Sequence, residues 1–187
     1  MAWAPDYLVA DQLTHYVRVD DDVDAVEAAW AIGAASRAVD RACGRQFGKV
    51  AAPEARVYQP YWDAFLCAWV AEIDDLATVT GSLLDGVVLA TTALYPRNAV
   101  AKGKVWTRLV VDTCDEVTIT ASWGWPAFPV PVLQATALQA SRLLARRDSP
   151  FGVAGSPQVG SELRLLARLD PDLITTVADL VRIGGAR

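Results

Sequence analysis

Apolar positions recur with a helical period in the first and last thirds of the chain and with a period nearer two in the middle. In the first zone, about residues 10–44, Leu13, Tyr16 and Val17 outline a short amphipathic helix. A longer one follows, with Ala25, Ala28, Ala29, Ile32, Ala35, Ser36, Val39 and Cys43 on one small-residue face. The acidic run Asp20, Asp21, Asp22, Asp24 sits at its start. Arg37, Arg41 and Arg45 lie toward its end, as the helix dipole favours, and Gly44 is placed to stop it. The alanine face suits close helix packing, within the chain or against another copy, and the intramolecular partner is the better expectation.

The middle zone, about residues 54–123, reads as β. Glu116–Trp123 alternates most cleanly, with Val117, Ile119, Ala121 and Trp123 against Thr118, Thr120 and Ser122. Trp106–Val111 is its expected partner, with Asp112–Asp115 as the hairpin connection. Weaker strand candidates are Arg56–Tyr61, Phe65–Val70, Leu76–Thr80 and Val87–Thr91. Turn chemistry marks Asp85-Gly86, Tyr95-Pro96-Arg97-Asn98 and Ala101-Lys102-Gly103-Lys104. In the third zone Leu133, Ala137, Ala140 and Leu144 form a helical stripe. Pro150 and Gly152 break it, Val153–Gly160 reads as a mobile loop, and Ser161–Leu169 as a further helix. Pro171 restarts a helix to about Arg182. The fold expected is α+β: a mainly helical scaffold with a small antiparallel β-region inserted in it. It is one domain over 1–187, with N-terminal helices in 1–50, the β-region in 54–125 and C-terminal helices in 129–187.

The formal net charge of −5 argues against a protein that grips a phosphate backbone, although not against one that DNA slides past. No apolar run approaches the length of a membrane span, and the N-terminus lacks the pattern of a secretory signal, so a soluble protein is expected. Cys43, Cys67 and Cys114 show no metal-ligand or redox spacing and are expected to be reduced, mostly buried thiols.

Catalytic and cofactor chemistry finds no pattern. His15, the sole histidine, has no nucleophile placed beside it by a motif, and a surface or boundary position on the first helix is expected. No G-x-S-x-G elbow and no phosphate-binding glycine loop occurs. The Asp20–Asp24 run lacks the glycine and glutamate that a calcium loop requires, since those positions hold Ala25 and Ala31. No catalytic residue, metal or cofactor is therefore expected. Arg142, Arg146 and Arg147 form a basic cluster near a helix end, better read as partners for a neighbouring subunit's carboxylates than as a DNA grip.

Four segments carry a resemblance. Arg142-Leu-Leu-Ala-Arg-Arg-Asp-Ser-Pro-Phe-Gly-Val-Ala-Gly-Ser156 resembles a stretch near the end of the head–tail connector proteins of tailed bacteriophages, also called adaptors or head-completion proteins. Ala34-Ala-Ser-Arg-Ala-Val-Asp-Arg-Ala-Cys-Gly-Arg-Gln-Phe47, Trp123-Gly-Trp125 followed by a proline, and Leu169-Asp-Pro-Asp172 resemble other stretches of that family, in the family's order. The resemblance implies a non-catalytic virion protein of the phage neck, assembled in the host cytoplasm as a closed homo-oligomeric ring, usually a dodecamer. Such a ring docks on the portal protein, extends the DNA channel without binding DNA specifically, and receives the next neck or tail protein. Twelve copies would carry a formal charge on the order of −60, which discourages DNA from sticking in transit.

Inter-subunit or portal contacts are expected at Arg142, Arg146, Arg147, Phe151, Leu173, Ile174, Val177 and Leu180. The docking segment is placed in the C-terminal third, so deletion of Leu173–Arg187 is expected to abolish portal attachment while leaving the helix–sheet body folded. The alternative is another neck component, a head-closure or tail-completion protein, which gene position beside tail genes would favour. A nucleic-acid-binding module would instead show salt-sensitive DNA affinity.

Overall fold

The computed structural model describes residues 4–17, 24–147, 153–154, 163–164 and 170–182. Two compact units emerge. One is built from the two ends of the chain, Met1–Gln46 and Phe128–Ile183; the other is built on Phe47–Ala127.

The first unit holds α1 (Ala10–Val17), α2 (Ala25–Cys43), α3 (Val130–Arg147) and α4 (Pro171–Val177). The α2 helix begins where Asp24 Oδ1 accepts the Val26 N–H at 3.3 Å. It ends at Gly44, whose φ of 64° lets its N–H turn back to the Asp40 carbonyl. Its alanine face is used inside the chain: Ala28, Ala31, Ile32 and Ala35 pack with Ala137 and Ala140 of α3, beside Leu8 and Leu13. The α4 helix lies against α2 and α3. A short antiparallel pair, β9 (Val153–Ala154) and β10 (Leu163–Arg164), corrects the helix expected over Ser161–Leu169 where that segment is described. Most of the loop expected at Val153–Gly160 lies outside the described residues.

The second unit overturns the expectation of a mainly helical protein with a small β-insertion, because it holds two four-stranded antiparallel sheets. One runs β1 (Glu54–Tyr58), β8 (Val117–Ala121), β4 (Leu83–Leu84), β5 (Val87–Val88); the other runs β2 (Tyr61–Asp63), β3 (Ala68–Leu76), β7 (Trp106–Val111), β6 (Leu94–Tyr95). They share one core of Ala71, Ile73, Leu76, Leu94, Leu109 and Val111 with Val117, Ile119, Ala121 and Trp123. This core makes the β-unit a layered body in its own right.

Sheet pairing also corrects the expected hairpin. β7 is flanked by β3 and β6, and β8 by β1 and β4, so neither has an edge free for the other. The connection Asp112–Glu116 passes between sheets instead. The true short hairpins are β4–β5, closed by Asp85 and Gly86 at φ 46° and 84°, and β2–β3. The nine-residue β3 extends well beyond the predicted Phe65–Val70, and the segment after Leu76 predicted as strand is loop.

Candidate functional site

Among the described residues, the expected contact residues divide between core and surface. Arg142 is consumed within its own unit: Nη1 meets Asp170 Oδ2 at 2.5 Å, with both side chains largely buried. This corrects the expectation that it pairs with a neighbouring subunit. Asp170 in turn caps α4 by accepting the Asp172 N–H at 2.8 Å through Oδ1. Arg146 is half-buried; the Arg147 side chain and Phe151 lie outside the described residues.

Leu173 and Val177 are fully buried. They belong to the core under α4, because an i, i+4 pair there turns toward α2 and α3. They are therefore corrected from docking residues to structural ones, and removal of Leu173–Arg187 would strip that core rather than spare it. Ile174 is exposed and Leu180 half-buried. A shallow groove of about 320 Å³ between α3 and α4 is lined by Gln134, Ala135, Leu138, Asp172, Thr175 and Thr176.

The residues at the entry and exit of the β-unit converge on one another. Phe47 and Trp125 pack ring against ring with centroids 5.3 Å apart. The Trp125 N–H donates to the Gly48 carbonyl at 2.7 Å, and the Val50 N–H to the Trp123 carbonyl at 3.0 Å. Gly48 and Gly124 both take positive φ, 108° and 101°. A Cβ on Gly124 would lie 1.9 Å from the Gly48 carbonyl oxygen, so the two strands can run this close only with glycine there. Beneath the crossing, the Trp125 indole N–H donates to Oδ2 of the buried Asp75 at 2.8 Å.

Trp123 closes the other side. Its indole donates to the Glu54 carbonyl at 2.9 Å, and the Arg56 guanidinium lies 5.1 Å from its ring centroid. Arg56 also bridges Asp74 at 2.8 Å and Glu54 at 2.9 Å. The Tyr58 hydroxyl donates to Asp74 at 2.9 Å, and burial together with that carboxylate's charge pushes its acidity well below that of an ordinary phenol.

A second cluster lies in the helical unit, where the segment from Pro5 to Val9 runs along α2. The Tyr7 N–H donates to Ser36 Oγ at 3.2 Å and its hydroxyl donates to Asp40. Arg37 donates to the Pro5 carbonyl at 2.6 Å and pairs with Asp40 at 3.0 Å. Burial raises the Asp40 carboxyl above its ordinary value, against the opposing pull of Tyr7 and Arg37. Both clusters have polar groups committed to holding backbone segments together, an arrangement suited to rigidity rather than proton transfer.

His15 is exposed on α1. Among the described residues no three His, Cys, Asp or Glu side chains are grouped to hold a metal ion. No described helix is long and apolar enough to cross a membrane. The cysteines depart from expectation: Cys43 is buried, but Cys67 and Cys114 are exposed, because both sit in turns rather than strands.

The sequence reading missed two exposed apolar patches. On α2, Val26 and Trp30 point outward, Trp30 at 72% exposure. At the β2–β3 turn, Trp62 is 54% and Phe65 94% exposed. Aromatic residues default to the core in a sequence reading, and only the sheet register reveals which side of the turn faces out. Comparison with family models and with curated proteins finds no match for the chain.

Proposed function

We propose that the chain is a non-catalytic structural subunit of a tailed-phage neck, assembling as a homo-oligomeric ring on the portal, extending the DNA channel and linking head to tail. One observation carries this reading: the four segments that resemble connector proteins meet two by two. Phe47, the last residue of Ala34–Phe47, packs on Trp125 of Trp123–Trp125. Arg142, the first residue of Arg142–Ser156, pairs with Asp170 of Leu169–Asp172. Stretches that resemble the family at separate places along the chain thus touch one another through Phe47 and Trp125 and through Arg142 and Asp170, which supports a shared architecture.

Charge and surface support the same reading. An acidic chain suits a passage through which DNA moves without being held. A ring needs two different patches on each subunit, each complementary to the other.

The test is imaging. Purified protein, alone and mixed with portal assemblies, is examined by electron microscopy. Rings in isolation or coaxial with the portal are expected. Absence of rings in both settings would refute the proposal. Attachment only to a ring already seated on the portal, or to tail ends, would move the assignment to a head-closure or tail-completion component.

A further inference from the structure

The two apolar patches have a physical relationship that rests on the ring reading and makes it specific. The β2–β3 turn is a stiff projection. Asp63 Oδ1 accepts the N–H groups of Phe65 and Leu66 at 2.9 and 3.0 Å, and Cys67 takes a left-handed φ of 48°. Trp62 and Trp69 stand opposite each other in the ladder and pack edge to face, centroids 5.5 Å apart, forming the stem. Phe65 is held at the tip by its turn, not by a core, so little order remains to be gained when it is buried by a partner.

The chain holds 22 acidic residues and a net charge of −5, yet Ala64–Val70 carries no charge at all. The one carboxylate at the stem, Asp63, is taken up by the turn and lies 3.8 Å from Arg108. On α2, Ala25–Ser36 carries a single charged residue, Glu27. Val26, Ala29, Trp30 and Ala34 of that stretch are exposed. Two copies of an acidic protein repel, and the penalty for contact is smallest where neither face bears charge. The tip meets that condition fully and the outer face of α2 comes close to it, with Glu27 and the N-capping Asp24 its nearest carboxylates. The small residues around Trp30 leave room for an incoming ring.

We propose that the partner of the aromatic tip is a second copy of this chain. Phe65 and Trp62 of one copy pack on Val26 and Trp30 of the next. Because tip and helix face are different surfaces, the contact is heterologous and propagates from copy to copy, as a ring requires. Aromatic anchors of this kind dominate the energetics of protein contacts.

The experiment uses the full chain. Sedimentation velocity over a concentration series compares the natural sequence with Phe65→Ser and Trp30→Ser. Both replaced side chains are solvent-exposed, and circular dichroism verifies that the variants fold. Each variant is expected to shift the assembly midpoint upward at least tenfold. In parallel, Ala34→Cys is combined with Cys114→Ser and treated with a short bismaleimide. Cross-links between the natural Cys67 and the introduced thiol of another copy are expected, giving a ladder of oligomers that Phe65→Ser removes.

Normal assembly by both serine variants would overturn the contact while leaving the ring reading intact. Cross-links joining only Cys67 to Cys67 would overturn it too, by showing a symmetric pairing. A natural chain that stays monomeric to its solubility limit also overturns it, whereas the ring reading itself fails only if rings are absent on portals as well.

Discussion

The indole of Trp125 donates its N–H to the carboxylate of Asp75 at 2.8 Å, and both residues are buried. The Gly124 N–H meanwhile donates to the Asp75 backbone carbonyl at 2.6 Å. One residue of β3 thus receives two adjacent residues of the segment leaving the β-unit. Trp125→Phe keeps most of the ring contact with Phe47 but removes the donor. Removing one partner of a buried hydrogen bond costs about 1–3 kcal/mol, so the variant should lose stability in that range, measured by urea unfolding. A loss below about 0.5 kcal/mol would show that the carboxylate does not depend on the indole.

Gly124→Ala meets two obstacles at once, a positive φ and a backbone oxygen 1.9 Å from the new Cβ. Neither is relieved by a rotamer change. A loss of more than about 2 kcal/mol is expected in the same unfolding measurement. Gly81→Ala, also at positive φ but with open space around it, should cost less, which separates the clash from the dihedral penalty.

Thiol chemistry distinguishes the three cysteines. Cys43 is fully buried, and burial pushes its thiol up to about 11, disfavouring the reactive thiolate. Cys67 and Cys114 are exposed. A maleimide at pH ~7 should therefore label two of the three thiols in the native protein and the third only after denaturation, as read by intact mass. Rapid native labelling of Cys43 would contradict its buried place in the last turn of α2.

Arg142→Ala removes the partner of the residue that caps α4. The unpaired Asp170 would remain largely buried, so a loss of about 1–3 kcal/mol is expected, with protease sensitivity rising near α4 before it rises elsewhere. If Arg142 acted only between subunits, the variant would fold with unchanged stability and fail only in assembly.

Asp40 gives a pH signature. Its folded carboxyl is raised, chiefly by burial, so the folded chain keeps a proton that the unfolded chain has already released. This group's contribution is fully present below the unfolded value near 3.8 and is lost as pH rises through the folded value. Asp40→Asn does not titrate. Its stability relative to the natural chain should therefore improve between pH ~3 and ~6, followed by denaturation at each pH. The opposite trend would mean that the pairing with Arg37 outweighs burial.

How much of this was legible in the sequence depends on how local each signal is. The α2 helix could be read because the alanine period lies within it and Asp24 and Gly44 stand directly at its two ends. β8 could be read because Val117, Ile119 and Ala121 alternate with threonines. β3 could not: Glu72, Asp74 and Asp75 interrupt its apolar run, and a register shift between Glu72 and Leu76 breaks the alternation. Which strands pair is a long-range property, so two neighbours in sequence were joined in a hairpin although they lie in different sheets. The C-terminal stripe was visible too, but not that Leu173 and Val177 face inward while Ile174 faces out.

The crossing of Phe47-Gly48 with Gly124-Trp125 brings the two ends of the β-unit side by side. A segment whose ends are adjacent behaves as a cassette, because its removal or exchange asks the rest of the chain to bridge only a short gap. Lineages carrying this helical unit would then be free to swap, enlarge or discard the β-cassette while the helices stay strung as they are. Length variation among relatives should accordingly fall between positions 47 and 127.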